Sequence, residues 1–336
     1  MHIRTTGGLL ASLLAFAAPT LAAEKVFDRT FTVTPGGLLT VNADAADISV
    51  ESGSTDKVVV HIVASASQSE LDALDLSAEQ TSSGVTVEAL KAKSRGSLWV
   101  SWNMDARIKV SVPRNYRVDL KTSGGDMSVI GIAGDANGKT SGGDIDLRDI
   151  TGQVKMRTSG GDVKAASTKG DLNLVTSGGE IVVKAAQGRV DVETSGGGIR
   201  LDSIEGPTRA RTSSGDVVIN SVRGDVEAST SGGDVKLVHA DGKLRATSSG
   251  GEVDCELIGA NRGIYASTSG GNISLRVAKD ITGTIDASAN GGRITSELPV
   301  TTTVAGDKRL SGPINGGGET IYAHTSGGNV RLTVAK

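Results

Sequence analysis

One phrase recurs along this chain with an almost fixed period. Thr122-Ser-Gly-Gly-Asp126 returns in close variants at Thr140, Thr158, Thr176, Thr194, Thr212 and Thr230, each 18 residues after the last. It returns again at Ser248, Thr268 and Thr325. A short fixed period builds stacked supersecondary units, each resting on its neighbours, rather than a globule around one centre.

Counting each repeat from its Thr as position 0 exposes the local structure. Position 5 is Met127, Ile145, Val163, Ile181, Ile199, Val217, Val235 and Val253, and position 7 is Val129, Leu147, Ala165, Val183, Leu201, Ile219, Leu237 and Cys255. The residue between them is mostly polar or charged. Apolar alternation of period two marks a strand with one buried face. A second alternating run falls at positions 14 and 16, as in Val154/Met156 and Leu172/Leu174. Gly-Gly at positions 2 and 3, and a single Gly at position 12 from Gly134 to Gly242, mark two bends. The reading is all-β: a parallel β-solenoid of 18-residue coils, like strands pairing in parallel at about 4.8 Å per coil. A two-sheet and a three-sided cross-section, of either hand, both satisfy the pattern. A hairpin meander is the competing fold.

Composition fits thin layers. Gly is 46 of 336 residues and aromatics only 2%, while hydrophobic residues still reach 37%. That excludes both disorder and a core built on large rings. A net charge of −3 gives no electrostatic reason to expect nucleic acid as a partner.

Residues 1–23 read as a secretory leader: His2 and Arg4, an apolar run from Gly7 to Ala18, then small residues ending at Ala22 or Ala23. The run is too short to span a bilayer. No Cys follows it, so no lipoprotein anchor is expected, and no transmembrane segment is expected in the mature chain. The expected location is the periplasm or the outside of the cell. Cys255 is the only cysteine, so no internal disulfide is possible, and its repeat position makes it a small core residue.

Three regions follow: the leader, an aromatic-richer and less periodic N-terminal β-rich cap at 24–120, and the repeats at 121–336. A short helix is expected at Ser69 to Gln80. An excursion at 299–318 interrupts the repeats and reads as an end cap or a binding loop, because open strand edges need covering.

The stretch Val118-Asp-Leu-Lys-Thr-Ser-Gly-Gly-Asp126, after Val112-Pro113 and followed by chained Ser-Gly-Gly-Asp and Gly-Asp-Val phrases, resembles a bacterial family of β-strand-repeat proteins. These are termed putative adhesins and otherwise form a domain of unknown function. The resemblance implies an exported or envelope-associated β-solenoid and brings no catalytic residues with it.

The strongest polar feature is an acidic column at position 4: Asp126, Asp144, Asp162, Glu180, Asp216, Asp234 and Glu252. Stacking places like charges about 5 Å apart, a repulsion of roughly 1 kcal/mol in water. Two explanations compete. Asp beside a Gly corner accepts backbone N–H bonds, helped by Lys121, Lys139, Arg157 and Arg211, each just before a repeat whose position 4 is acidic. Alternatively the column binds calcium, as in other 18-residue coils, but position 13 varies too much for a cage of oxygen ligands. Turn chemistry is the preferred reading, with no metal and no cofactor.

The Thr-Ser column suggests an ice-binding face, but it sits at a corner rather than on a flat strand, so a structural hydroxyl ladder fits better. His61, His239 and His324 lack metal-ligand spacing. The candidate binding residues are aromatic: Trp99 and Trp102 in the cap, Tyr265 and Tyr322 in the repeats. The function read from the chain is a non-enzymatic scaffold presenting a rigid surface to an envelope protein or polysaccharide. A carbohydrate-active enzyme and a calcium-dependent module are the alternatives.

Overall fold

The computed structural model describes residues 23–91, 104–301 and 303–335. Most of the expected leader, together with Trp99 and Trp102, lies outside the described residues. The described chain forms two long sheets, one of fifteen strands (here the front sheet) and one of sixteen (the back sheet). Strands within the repeats alternate between them. Ala136–Lys139 lies in the back sheet, Ile145–Thr151 in the front, and Val154–Arg157 in the back again.

Each coil pairs in parallel with the coil one repeat away. Ile145 faces Val163, which faces Ile181, which faces Ile199. The back sheet keeps the same offset, Val154 with Leu172 and Leu172 with Val190. The cross-section is therefore a flattened two-sheet coil, and fifteen strands at the usual spacing give a stack roughly 70 Å long. The inward side chains are the alternating apolar set. Ile145, Leu147, Val163, Leu172, Leu174 and Ile181 are all essentially inaccessible to solvent. Each such aliphatic side chain contributes about 1.5–3 kcal/mol on burial, and the column of them replaces a single centre.

Six successive coils bend once more than the glycines announce. Position 9 takes a left-handed backbone without being glycine: Asp149 (φ 53), Ser167 (φ 56), Ala185 (φ 55), Ser203 (φ 58), Ser221 (φ 55) and His239 (φ 52). The parallel pairing skips this residue. The kink turns position 10 back inward, so that Ile150, Ala186, Ile204 and Val222 are buried.

Glycine is required at two places for different reasons. A Cβ on Gly143 would lie 2.1 Å from the carbonyl oxygen of Gly125 in the coil below. Gly170 combines a positive φ of 124° with a similar close approach, 2.2 Å from the Gly152 oxygen. The corners are therefore where successive backbones come closest.

Both ends of the stack depart from sequence order. Strands Leu38–Ala43 and Asp47–Ser52 already form a coil, in register with Arg117–Lys121 and Met127–Ile130. On their other side they meet Gly84–Lys91 and Asp105–Val112. The region read as a cap is thus itself part solenoid. At the far end Thr320–Thr325 and Val330–Val334 lie between Ile264–Thr268/Ile273–Val277 and Gly283–Ala289/Ile294–Ser296. An early coil and a late coil are each clasped between two others.

Antiparallel strands finish three of the four sheet edges; the far edge of the front sheet is the parallel strand Ile294–Ser296. Ala23–Thr32 and Lys57–Ala66 continue the front sheet beyond Asp105–Val112. Leu74–Thr81 closes the back sheet on Gly84–Lys91. The helix is shorter than expected, only Gln68–Asp72, with Glu70 accepting the Ser67 backbone N–H at 3.0 Å. Ala73 caps the helix, and from Leu74, which turns inward and is buried, the chain is strand. Lys25 donates to the carbonyls of Leu71 and Leu74 at 3.1 and 2.7 Å, fixing the helix to the edge strand. Within the excursion, Arg309–Ile314 pairs antiparallel with Gly283–Ala289 and with Val304–Gly306, covering one end of the back sheet.

Candidate functional site

The Ser-Gly-Gly corner is built from two ladders. Thr122 donates to the Ala46 carbonyl, and from Thr140 on each Thr hydroxyl at position 0 is buried and donates to the position-3 glycine carbonyl of the adjacent coil. Thr158 reaches Gly143 at 2.9 Å, Thr176 reaches Gly161 at 2.8 Å and Thr194 reaches Gly179 at 2.9 Å. The same oxygen accepts the Gly N–H three residues on, at 3.4 Å for Gly161 and 3.3 Å for Gly179. The hydroxyls point into the molecule, so this column forms no external Thr array.

The acidic column is the second ladder. Asp144 N–H donates to Asp126 Oδ1 at 2.8 Å, Asp162 N–H to Asp144 at 2.7 Å, and Glu180 N–H to Asp162 at 2.8 Å. Asp216 and Asp234 cap the next coil in the same way, at 2.9 and 2.7 Å. The acceptor serves the adjacent coil rather than its own turn. Glutamate does not fit. Glu180 turns to Arg200 at 3.0 Å, and Glu252 to the Asn272 side-chain amide at 2.8 Å. Asn272 and Asn329 restore the cap with a neutral oxygen, at 2.9 and 3.0 Å. Among the described residues no group of three or more His, Cys, Asp or Glu side chains converges as metal ligands would.

The expected help from basic residues across the corner takes another form. Arg211 pairs not with Asp216 but with Glu227 on the back sheet at 2.6 Å, and Arg209 reaches the same carboxylate at 2.9 Å. These bonds hold the Glu227 carboxyl below its ordinary range and raise Arg211. Arg211 thus finds its partner on its own sheet rather than across the corner.

Tyr265 and Tyr322, 57 residues apart in sequence, are brought together by the clasped coil. They are directly opposed in the back sheet, with ring centroids 4.5 Å apart and planes within 3°. Arg245 lies over Tyr265 at 4.2 Å, and His324 stacks on Tyr322 at 3.7 Å. Burial and the neighbouring Tyr265 raise the Tyr322 hydroxyl pKa. The stack engages ring faces that a sugar platform would need free, so it presents edges and hydroxyls instead.

Three features had weak or no sequence signal. A second aspartate ladder serves the other corner: Asp135 accepts Gln153 N–H at 2.9 Å, Asp171 accepts Arg189 N–H at 3.2 Å and Asp225 accepts Lys243 N–H at 3.1 Å. The repeated Gly-Asp pair at position 12–13 was the available signal. The left-handed column at position 9 carries none, since its residues share no chemistry. Each described histidine after the leader also faces a carboxylate: His61 with Asp28 at 2.6 Å, His239 with Glu256 at 3.7 Å and His324 with Asp286 at 3.2 Å.

A family model described as Toastrack DUF4097 matches residues 38–240 and again 221–333. No curated protein matches the chain. Among solved structures it is similar to a putative cell adhesion protein from Clostridium sporogenes, with 12% identity, 93% of this chain and 100% of that one covered, and a TM-score of 0.22. It is also similar to a putative lipid binding protein from Parabacteroides distasonis (15% identity, 91% and 96% covered, TM-score 0.32). A putative adhesin from Parabacteroides merdae is 12% identical over 93% and 97% of the two chains, with a TM-score of 0.31. Superpositions this loose carry no functional argument.

Proposed function

The chain belongs to the Toastrack DUF4097 family, and from that premise we propose that it is an exported, non-enzymatic scaffold whose flat sheet faces engage an extended envelope partner. The observation that carries this is the register. Residues one repeat apart lie directly opposite each other on both sheets. Any outward position is thus displayed again about every 4.8 Å. Weak contacts repeated along a rigid array add into useful affinity without a deep pocket. Among the described residues no helix is long and apolar enough to cross a membrane.

The test is capture from envelope extracts with the full chain and with a version lacking 299–318. Retention of an envelope protein or polysaccharide by the full chain supports the reading. Release of reducing ends from envelope polysaccharides would replace it with an enzymatic one. Export is checked separately by N-terminal sequencing of the mature protein, expected to begin after Ala22 or Ala23.

A further inference from the structure

The back sheet changes character along its length. Downstream, three of its cations are matched: Arg209 and Arg211 share Glu227, and Arg245 covers Tyr265. Upstream they are not. Lys121, Lys139 and Arg157 stand in one column on three adjacent coils, directly opposed in the pairing. Lys155 and Arg117 flank them, and all five are exposed. Among the described residues none of the five has a carboxylate within ion-pair distance. Like charges directly opposite in a sheet are destabilising, yet here three follow in succession.

The same face carries free hydrogen-bonding groups. Asn137, Gln153, Lys155 and Asn173 line a shallow groove of about 290 Å³ beside the cation column, together with Asp135, Asp171, Asp191 and Arg189. The side chains of Asn137, Gln153 and Asn173 make no hydrogen bond among the described residues. The acidic groups on this face are Asp119, Asp135, Asp171 and Asp191. Asp135 and Asp171 are engaged in capping Gln153 and Arg189, and the position-4 column opens the strands of the opposite sheet.

We propose that the outer face of the back sheet over residues 117–175 binds an acidic polysaccharide, Lys121, Lys139 and Arg157 meeting carboxylates while Asn137, Gln153 and Asn173 meet sugar hydroxyls. Cations alone would suit any polyanion. The row of unsatisfied amides beside them is what selects a carboxylated glycan, because a hydroxyl both donates and accepts and a side-chain amide does the same. The coil rise is close to the length of one extended β-linked sugar residue, so successive coils meet successive sugars. This rests on the display reading and names its partner chemistry.

The probe is oligomannuronate long enough to span the four coils, titrated into the full chain, with its carboxyl-reduced counterpart and inorganic polyphosphate alongside. Salt-sensitive binding of the oligomannuronate is expected, and none of the reduced form. K121Q/K139Q/R157Q weakens it by roughly tenfold to a hundredfold, the sum of three exposed pairs. N137A/N173A, which alters no charge, weakens the glycan and leaves polyphosphate unchanged. Thermal melts show that both variants stay folded. R209Q/R211Q, on the matched part of the face, leaves glycan binding unchanged. Equal loss from R209Q/R211Q, or indifference to N137A/N173A, would overturn the proposal. If oligomannuronate fails to bind while the full chain still captures an envelope partner, this assignment falls and the display reading stands.

Discussion

The aspartate ladder separates residues that charge alone treats as equal. Asp144→Asn keeps the oxygen that accepts Asp162 N–H and removes a like-charge contact, so stability should change by no more than about 0.5 kcal/mol. Asp144→Glu should cost about 1 kcal/mol, since Glu180 and Glu252 in the same slot direct their carboxylates to side chains instead. Urea titrations of the two variants check the ordering, and equal losses would contradict it. Thr176→Val conserves shape but abandons the Gly161 carbonyl, for an expected loss of about 1–2 kcal/mol. Thr176→Ser should be nearly neutral, because Ser248 makes the same bond to Gly233 at 2.8 Å.

At the level of the coil, the sequence was most legible where one residue type does one job. Val and Leu alternation located both strands of each repeat, and Gly-Gly located the corner. The kink at position 9 stayed hidden because Asp149, Ser167, Ala185 and His239 share only a backbone angle, imposed by the coil below and above. The Tyr265–Tyr322 stack stayed hidden because the clasped coil, not sequence proximity, creates it. If a coil is the unit, removing residues 176–193 should leave a folded rod one coil shorter, with a cooperative melt and unchanged β-sheet circular dichroism. Removing half as much should abolish folding, since the inward and outward faces no longer align with the next coil. Cys255 belongs to this scale too. Burial pushes its thiol far up, Asp254 adding and Arg276 opposing, so a maleimide should label it only on unfolding in urea. Labelling of the native protein at the rate of an exposed thiol would contradict its place in the core.

Over the whole molecule, two devices protect the stack. Antiparallel strands close three of its four sheet edges, and charged residues such as Glu24, Asp28 and Arg29 stand exposed on the outermost front strand. The clasping of 38–52 and 320–334 means that neither is a free outer coil. Period alone cannot show this, since a periodic sequence reads most simply as coils stacked in chain order. Rigidity and the regular face both depend on one geometric claim, that repeats stack in parallel and in register. Spin labels at the exposed corner serines test it directly, in a Cys255→Ala background. Pairing Ser141 with Ser195, Ser213 and Ser231 should give backbone separations of roughly 14, 19 and 24 Å, rising by about 4.8 Å per coil. Distances that fail to rise evenly with repeat number, as antiparallel ribbons would give, would contradict the stacked coil and the display surface derived from it.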